Sequence, residues 1–131
     1  MTEQRSIVAA AVIELDGRFL LTRRQKGVHL EGCWEFPGGN CLAGESLEAC
    51  LARELREELA VEAHVGGEVF RTFHEYEDRQ VELHFLSCRI VGSPSPQIGQ
   101  EMRWVPRHEL AALEFPAADQ RLVEMLRDGH S

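Results

Sequence analysis

Apolar positions mark out the elements of this chain before any chemistry is considered. Ser6 to Leu15 is apolar and rich in β-branched residues, and Asp16-Gly17 separates it from a second apolar run, Arg18 to Thr22. That pattern predicts a hairpin with a tight primed turn. A short strand at Cys33 to Phe36 ends at Pro37-Gly38-Gly39, where two glycines permit backbone conformations closed to other residues. Leu47, Leu51, Leu55 and Leu59 then recur every four residues, a drifting apolar stripe along a helix for which Ser46 is the N-cap. Val61 to His74 and Gln80 to Val91 read as strands hinged at Glu77-Asp78-Arg79. In the second of these, Val81, Leu83 and Phe85 alternate with Glu82, His84 and Leu86, which predicts one buried face. Gly92 to Gly99 is Pro-rich and long enough for a mobile functional loop. A short strand at Met102 to Val105 and helices near Pro106 to Ala112 and Ala117 to Arg127 complete the chain. Strands on both sides of a central helix, with another helix at the end, predict an α/β (α+β) sandwich in one domain spanning residues 1–131.

Composition narrows the partners. With 131 residues and 44% apolar content, the chain suits one domain with a real core. Its formal net charge of -8 argues against polymeric DNA or RNA, which are held by Lys and Arg neutralising phosphates. An acidic protein still binds a triphosphate when metal ions sit between carboxylate and phosphate. The apolar run Ile7 to Ile13 is too short to span a bilayer and no signal sequence precedes it, so a cytosolic protein with no membrane partner is expected, as monomer or homodimer. Cys33, Cys41, Cys50 and Cys88 lack C-x-x-C spacing, which predicts reduced, mostly buried thiols. The six histidines are scattered, and no pair has the spacing of a zinc protease.

The candidate chemistry lies in residues 39–61. Glu54, Glu57 and Glu58 fall on about one helical turn, where like charges three and four apart cost a few tenths of a kcal/mol per pair. Measured from the leucine stripe, Glu54 and Glu58 sit roughly 60–100° away, on its border, whereas Arg56 is nearly opposite. Acids placed only for solubility would share the side of Arg56. A divalent cation explains them better, since Mg²⁺ binds through carboxylate oxygens, water and substrate phosphates. Arg53, four residues before Glu57, reads as an ion-pair partner that orients a ligand.

Gly39, Glu45, Arg53, Glu54, Glu57 and Glu58, with aliphatic Leu55 and Val61, resemble the signature of the Nudix hydrolases at six of its seven single-residue positions. At ordinary amino-acid usage a given start matches all six by chance roughly once in ten million. The departure is Ala60, where the family has the Gly that ends the helix in a left-handed conformation. The resemblance implies the Nudix fold, a mixed sheet between helices. Phe19 to Arg24, His29, Glu35 to Gly39, Asp78-Arg79 and Phe115 to Asp119 extend the likeness to the MutT-type nucleoside triphosphate pyrophosphohydrolases, which include the enzymes that destroy 8-oxo-dGTP.

By that resemblance Glu54, Glu57, Glu58 and the Gly38 carbonyl would hold Mg²⁺, or Mn²⁺ in its place, with Glu45 supporting the site. Arg24, His29 and Arg79 would line the nucleotide site, and Phe36 and Tyr76 would lie near the base. Asp119 stands where the best-known 8-oxo-guanine enzyme has Asn. An ionised carboxylate only accepts, so it suits guanine's N1–H and N2 amine, or the amine of cytosine or adenine; the alternative for Asp119 is a helix N-cap. The family's loop acid before Gly-Gln is missing from Gln97-Ile98-Gly99-Gln100-Glu101, so Glu101 or Glu54 would be the base. The implied reaction releases pyrophosphate from a nucleoside triphosphate, with oxidised nucleotides such as 8-oxo-dGTP the first expectation. Cytidine or modified-pyrimidine triphosphates come second, and a nucleotide sensor without catalysis is the alternative of another class.

Overall fold

A computed structural model of the chain describes residues 5–77 and 79–129; the Asp78 of the expected hinge lies outside the described residues. The expected first strand is divided. β1 (Arg5–Val12) enters one sheet, the chain changes sheets at Ile13, and β2 (Glu14–Leu15) pairs with β3 (Arg18–Arg23) in another. Asp16 and Gly17 both take positive φ, 53° and 75°, as the primed turn requires.

The first sheet runs β5 (Gly38–Asn40), β1, β7 (Gln80–Val91), β6 (Glu62–Glu75). β1 and β7 are parallel and the outer pairs antiparallel, so the sheet is mixed. The second, wholly antiparallel, joins β2, β3, β4 (Trp34–Glu35) and β8 (Met102–Pro106). α1 (Leu47–Leu59) covers one face of the first sheet, where Leu51, Leu55 and Leu59 pack with Ala9, Ala11 and Leu86. α2 (Gln120–Arg127) covers the other, where Leu122, Val123 and Leu126 meet Val12, Phe19 and Phe85. β1 is therefore buried on both sides, the reason its sequence is an unbroken apolar run. Burying each of the three helix leucines contributes about 2 kcal/mol.

The last helices differ slightly from expectation: Arg107–Ala112 and Ala117–Asp119 are 3₁₀ turns, the second leading directly into α2. β7 departs more. His84 and Leu86 are buried along with Val81, Leu83 and Phe85. Leu86 meets α1, and His84 is clamped between Glu68 at 2.5 Å and Glu82 at 2.7 Å. Among the described residues no helix is long and apolar enough to cross a membrane.

At the end of α1, Ala60 adopts φ 56°, ψ 39° and donates its N–H to Arg56, so the left-handed exit forms on an alanine. The Pro-rich loop expected to be mobile is tied to the same helix end. Ser95 N–H donates to the Leu59 carbonyl at 2.9 Å, and Gln97 N–H and the Gln100 side chain both donate to that of Glu58, at 2.9 and 3.2 Å. These bonds satisfy carbonyls that a helix leaves unpaired at its C-terminus.

The expectation of four reduced cysteines is also corrected. Cys41, just after β5, and Cys50, in the first turn of α1, are disulfide-bonded across a Cα–Cα distance of 5.2 Å. Cys33 and Cys88 are free. The loop between β5 and α1 folds back to bring the pair together, which a spacing of nine does not announce.

Candidate active site

Glycine makes the junction of β5 and α1 possible. A Cβ on Gly38 would strike the Ala9 carbonyl of β1, and one on Gly39 would lie 2.5 Å from the Glu54 carboxylate. Only bare backbone lets the strand lie this close to both neighbours.

Arg53 organises the acids around this contact. It donates two bonds to Glu45, at 2.8 and 3.0 Å, one to Glu54 at 3.0 Å, two to Glu57, at 3.2 and 3.3 Å, and one to the Asn40 carbonyl at 3.1 Å. With a further bond from the Leu42 N–H, Glu45 is held down at about 2, chiefly by Arg53. Glu58 goes the opposite way, pushed up to about 8 by burial and by the negative charges of Glu54, Glu35 and Glu57; the Gly38 N–H bonded to it opposes the rise. Such a cluster has an excess of negative charge, which a hard divalent cation neutralises through the oxygens it prefers. The donor set of Glu54, Glu58 and the neighbouring Glu57 thus fits the expected metal.

Gly38, Gly39, Glu54 and Glu58 open onto a cleft of about 370 Å³, whose lining also includes Arg24, His29, Glu35, Phe36, Tyr76, Arg79 and Asp119. Phe36 is buried, stacked on Phe115 at 5.7 Å and edge-on to Phe85. His29 and Tyr76 meet edge to face at 5.0 Å. Arg24 pairs with Glu35 at 2.9 Å and donates through Nε to the His29 carbonyl. Asp119 is 5% exposed. Burial, reinforced by Glu35 and opposed by Arg24, raises its carboxyl to about 7. It occupies the N-cap position of α2 yet its side chain makes no capping bond, so capping does not account for it.

Two expected residues are placed elsewhere. Glu101 is outside the cleft lining, 52% exposed and paired with Arg23 at 3.2 Å, because the loop that carries it is tied to α1. Glu57 also lies outside the lining, 56% exposed and facing Arg53. Sequence reasoning gave no role to Glu35, whose carboxyl is raised mainly by desolvation. The available signal was its position, two residues before Pro37 in a motif that leads into the glycines.

Residues 8–125 match the NUDIX domain family. The chain is 38% identical over 122 residues to an 8-oxo-dGTP diphosphatase from Haemophilus influenzae, covering 91% of this chain and 89% of the relative. It is 46% identical over 112 residues to a CTP pyrophosphohydrolase from Escherichia coli, covering 85% and 82%. Its fold matches the crystal structure of a MutT protein from Methanosarcina mazei with a TM-score of 0.86 and 25% identity, over 98% of this chain and 97% of that one.

Proposed function

The chain belongs to the Nudix hydrolases of the MutT type, and from that premise we propose that this nucleotide pyrophosphohydrolase converts cytidine triphosphates to the monophosphate and pyrophosphate with Mg²⁺ or Mn²⁺. The observation that carries the base assignment is the pair of acids, Asp119 and Glu35, that line one cleft, with Glu35 adding to the burial that raises Asp119. Two acid groups suit a base with an exocyclic amine, whose hydrogens they accept; the carbonyl that uracil and thymine carry in its place would face oxygen. Near neutrality Asp119 keeps its proton about half the time, and the O–H donates to cytosine N3 while the carbonyl accepts from the N4 amine. The name of the Escherichia coli relative agrees.

A second reading has a specific basis. Ionised, Asp119 accepts two donors in line, which is what the N1–H and N2 amine of 8-oxo-guanine offer. The Haemophilus relative's name points that way.

Bound at Glu54, Glu57, Glu58 and Gly38, the metal would neutralise the phosphate oxygens as charge develops on them. The protein's own groups do the rest. Glu45 and Arg53 fix the first turns of α1, so that Glu54 is held at one oxygen while it lines the cleft. Glu54, and not Glu101, which is outside the cleft lining, takes the proton of the attacking water. Arg24 and Arg79 offer positive charge to the nucleotide, and His29, Phe36 and Tyr76 border the base.

The test is pyrophosphate release from CTP, dCTP, UTP, dTTP, dGTP and 8-oxo-dGTP with Mg²⁺. Cytidine nucleotides should show the highest kcat/KM, at least tenfold above uridine and thymidine ones. Equal turnover of CTP and UTP would sink the amine reading. Tight binding with no turnover of any nucleotide would make the protein a sensor.

A further inference from the structure

Beside the acids of α1 is a second cluster of different chemical character. Cys41, Glu45 and Cys50 each bring a sulfur or a carboxylate oxygen to within 4.8 Å of the others. We propose that reduction of the Cys41–Cys50 disulfide turns this cluster into a binding site for one thiophilic divalent cation of the Zn²⁺ class, distinct from the all-oxygen site of Glu54, Glu57 and Glu58.

Ligand softness separates the two sites. Two thiolates and a carboxylate suit Zn²⁺, whereas Mg²⁺ favours oxygen alone. The cation offsets the charge of the two thiolates, and Glu45 keeps its bond from the Arg53 guanidinium. The site is enclosed on one side: Cys50 is fully buried and the Glu45 side chain 13% exposed, with half-buried Cys41 as the approach from solvent. Backbone bonds hold the ligands in place, from Cys41 N–H to Ile7, Cys50 N–H to Ser46 and Leu42 N–H to the Glu45 carboxylate. Zn–S bonds of about 2.3 Å at a tetrahedral centre set two sulfurs roughly 3.8 Å apart. Cα atoms 5.2 Å apart allow that separation by side-chain rotation.

The gating step balances simply. A dithiol supplies two electrons and two protons, becoming a disulfide itself, and Cys41 and Cys50 become thiols. Binding of the cation then releases both thiol protons to solvent. The oxidised chain has no thiolate to offer. Occupancy also engages Glu45, the residue that anchors Arg53, so the second site touches the scaffold of the first.

The full-length chain is tested in both redox states, reduced with a phosphine that is then removed, with Mg²⁺ in excess and Cd²⁺ as the probe. The reduced chain should bind one Cd²⁺ with a near-ultraviolet thiolate-to-metal band that Zn²⁺ abolishes, and the oxidised chain should show none. C41S and C50S should lose the band and bind at least about a hundredfold more weakly, while C33S and C88S keep it. E45Q should keep the band and bind about tenfold more weakly. Circular dichroism checks folding, and C41S carries the test if buried C50S does not fold. A reduced chain without the band, an oxidised chain with it, or a band that survives C41S would overturn the proposal.

Discussion

Asp119→Asn removes the one proton on which the proposed base choice turns. In the wild-type chain the Asp119 carboxyl is raised from an ordinary 3.8 to about 7, so burial places about 4 kcal/mol between its neutral and ionised forms. The groups that act on it are Glu35, which raises it, and Arg24, which lowers it, while Asp119 in turn raises Tyr76 and Cys33. The neutral form, which pairs with cytosine, is about nine-tenths of the population at pH 6 and about one-thirtieth at pH 8.5. The kcat/KM of CTP should therefore fall about thirtyfold across that interval, and its ratio to that of 8-oxo-dGTP, which pairs with the ionised form, about three-hundredfold. Taking a ratio cancels pH effects on water and metal common to both substrates. Asparagine holds a donor and an acceptor at every pH, the pattern of the neutral carboxyl, so the variant's ratio should stay flat, near the value of the wild type at pH 6. Stability supplies an independent arm. A carboxyl raised on folding adds stability below pH 4 that is lost as pH rises to about 7, so the variant should gain on the wild type over that window and hold the gain above it. A ratio independent of pH in the wild type, or as steep in the variant, would refute the reasoning.

The remaining expectations concern α1 and its surroundings. Glu54→Gln should lower kcat by two to three orders of magnitude with a native circular dichroism spectrum, and Glu101→Gln should stay within about twofold of wild type; the reverse pattern in steady-state kinetics returns the base to Glu101. Chelating divalent ions should abolish turnover and Mg²⁺ should restore it, read as pyrophosphate release; full activity in chelator would remove the metal assignment. Ala60→Gly should add about 1 kcal/mol in denaturant unfolding, because glycine takes the left-handed exit without the Cβ penalty that Ala60 bears at φ 56°.

Local periodicity made α1 legible. The leucine stripe, the Ser46 cap and the border position of Glu54 and Glu58 are properties of a helix by itself, and the structure has Ser46 accepting from the Ala49 N–H and Leu51, Leu55 and Leu59 buried. The primed turn at Asp16-Gly17 was legible for the same reason. Long-range facts were not. The break at Ile13 depends on which sheet each half joins, and an apolar run looks alike in either. The burial of His84 depends on Glu68, contributed by the bulged β6 beside it. Cys41 and Cys50 become partners only after the intervening loop closes. Sequence distance alone offered Glu101 as a candidate base, and its pairing with Arg23 depends on the loop's tie to α1, which the sequence does not show.

The loop's tie to α1 bears on how firmly the acids of that helix are held. Lifting residues 95–100 away would strip three donors from the Leu59 and Glu58 carbonyls and leave the end of a buried helix exposed, at a cost of about 1 kcal/mol for each bond. The segment therefore stays in place and braces the C-terminal end of α1, the helix that carries Glu54, Glu57 and Glu58.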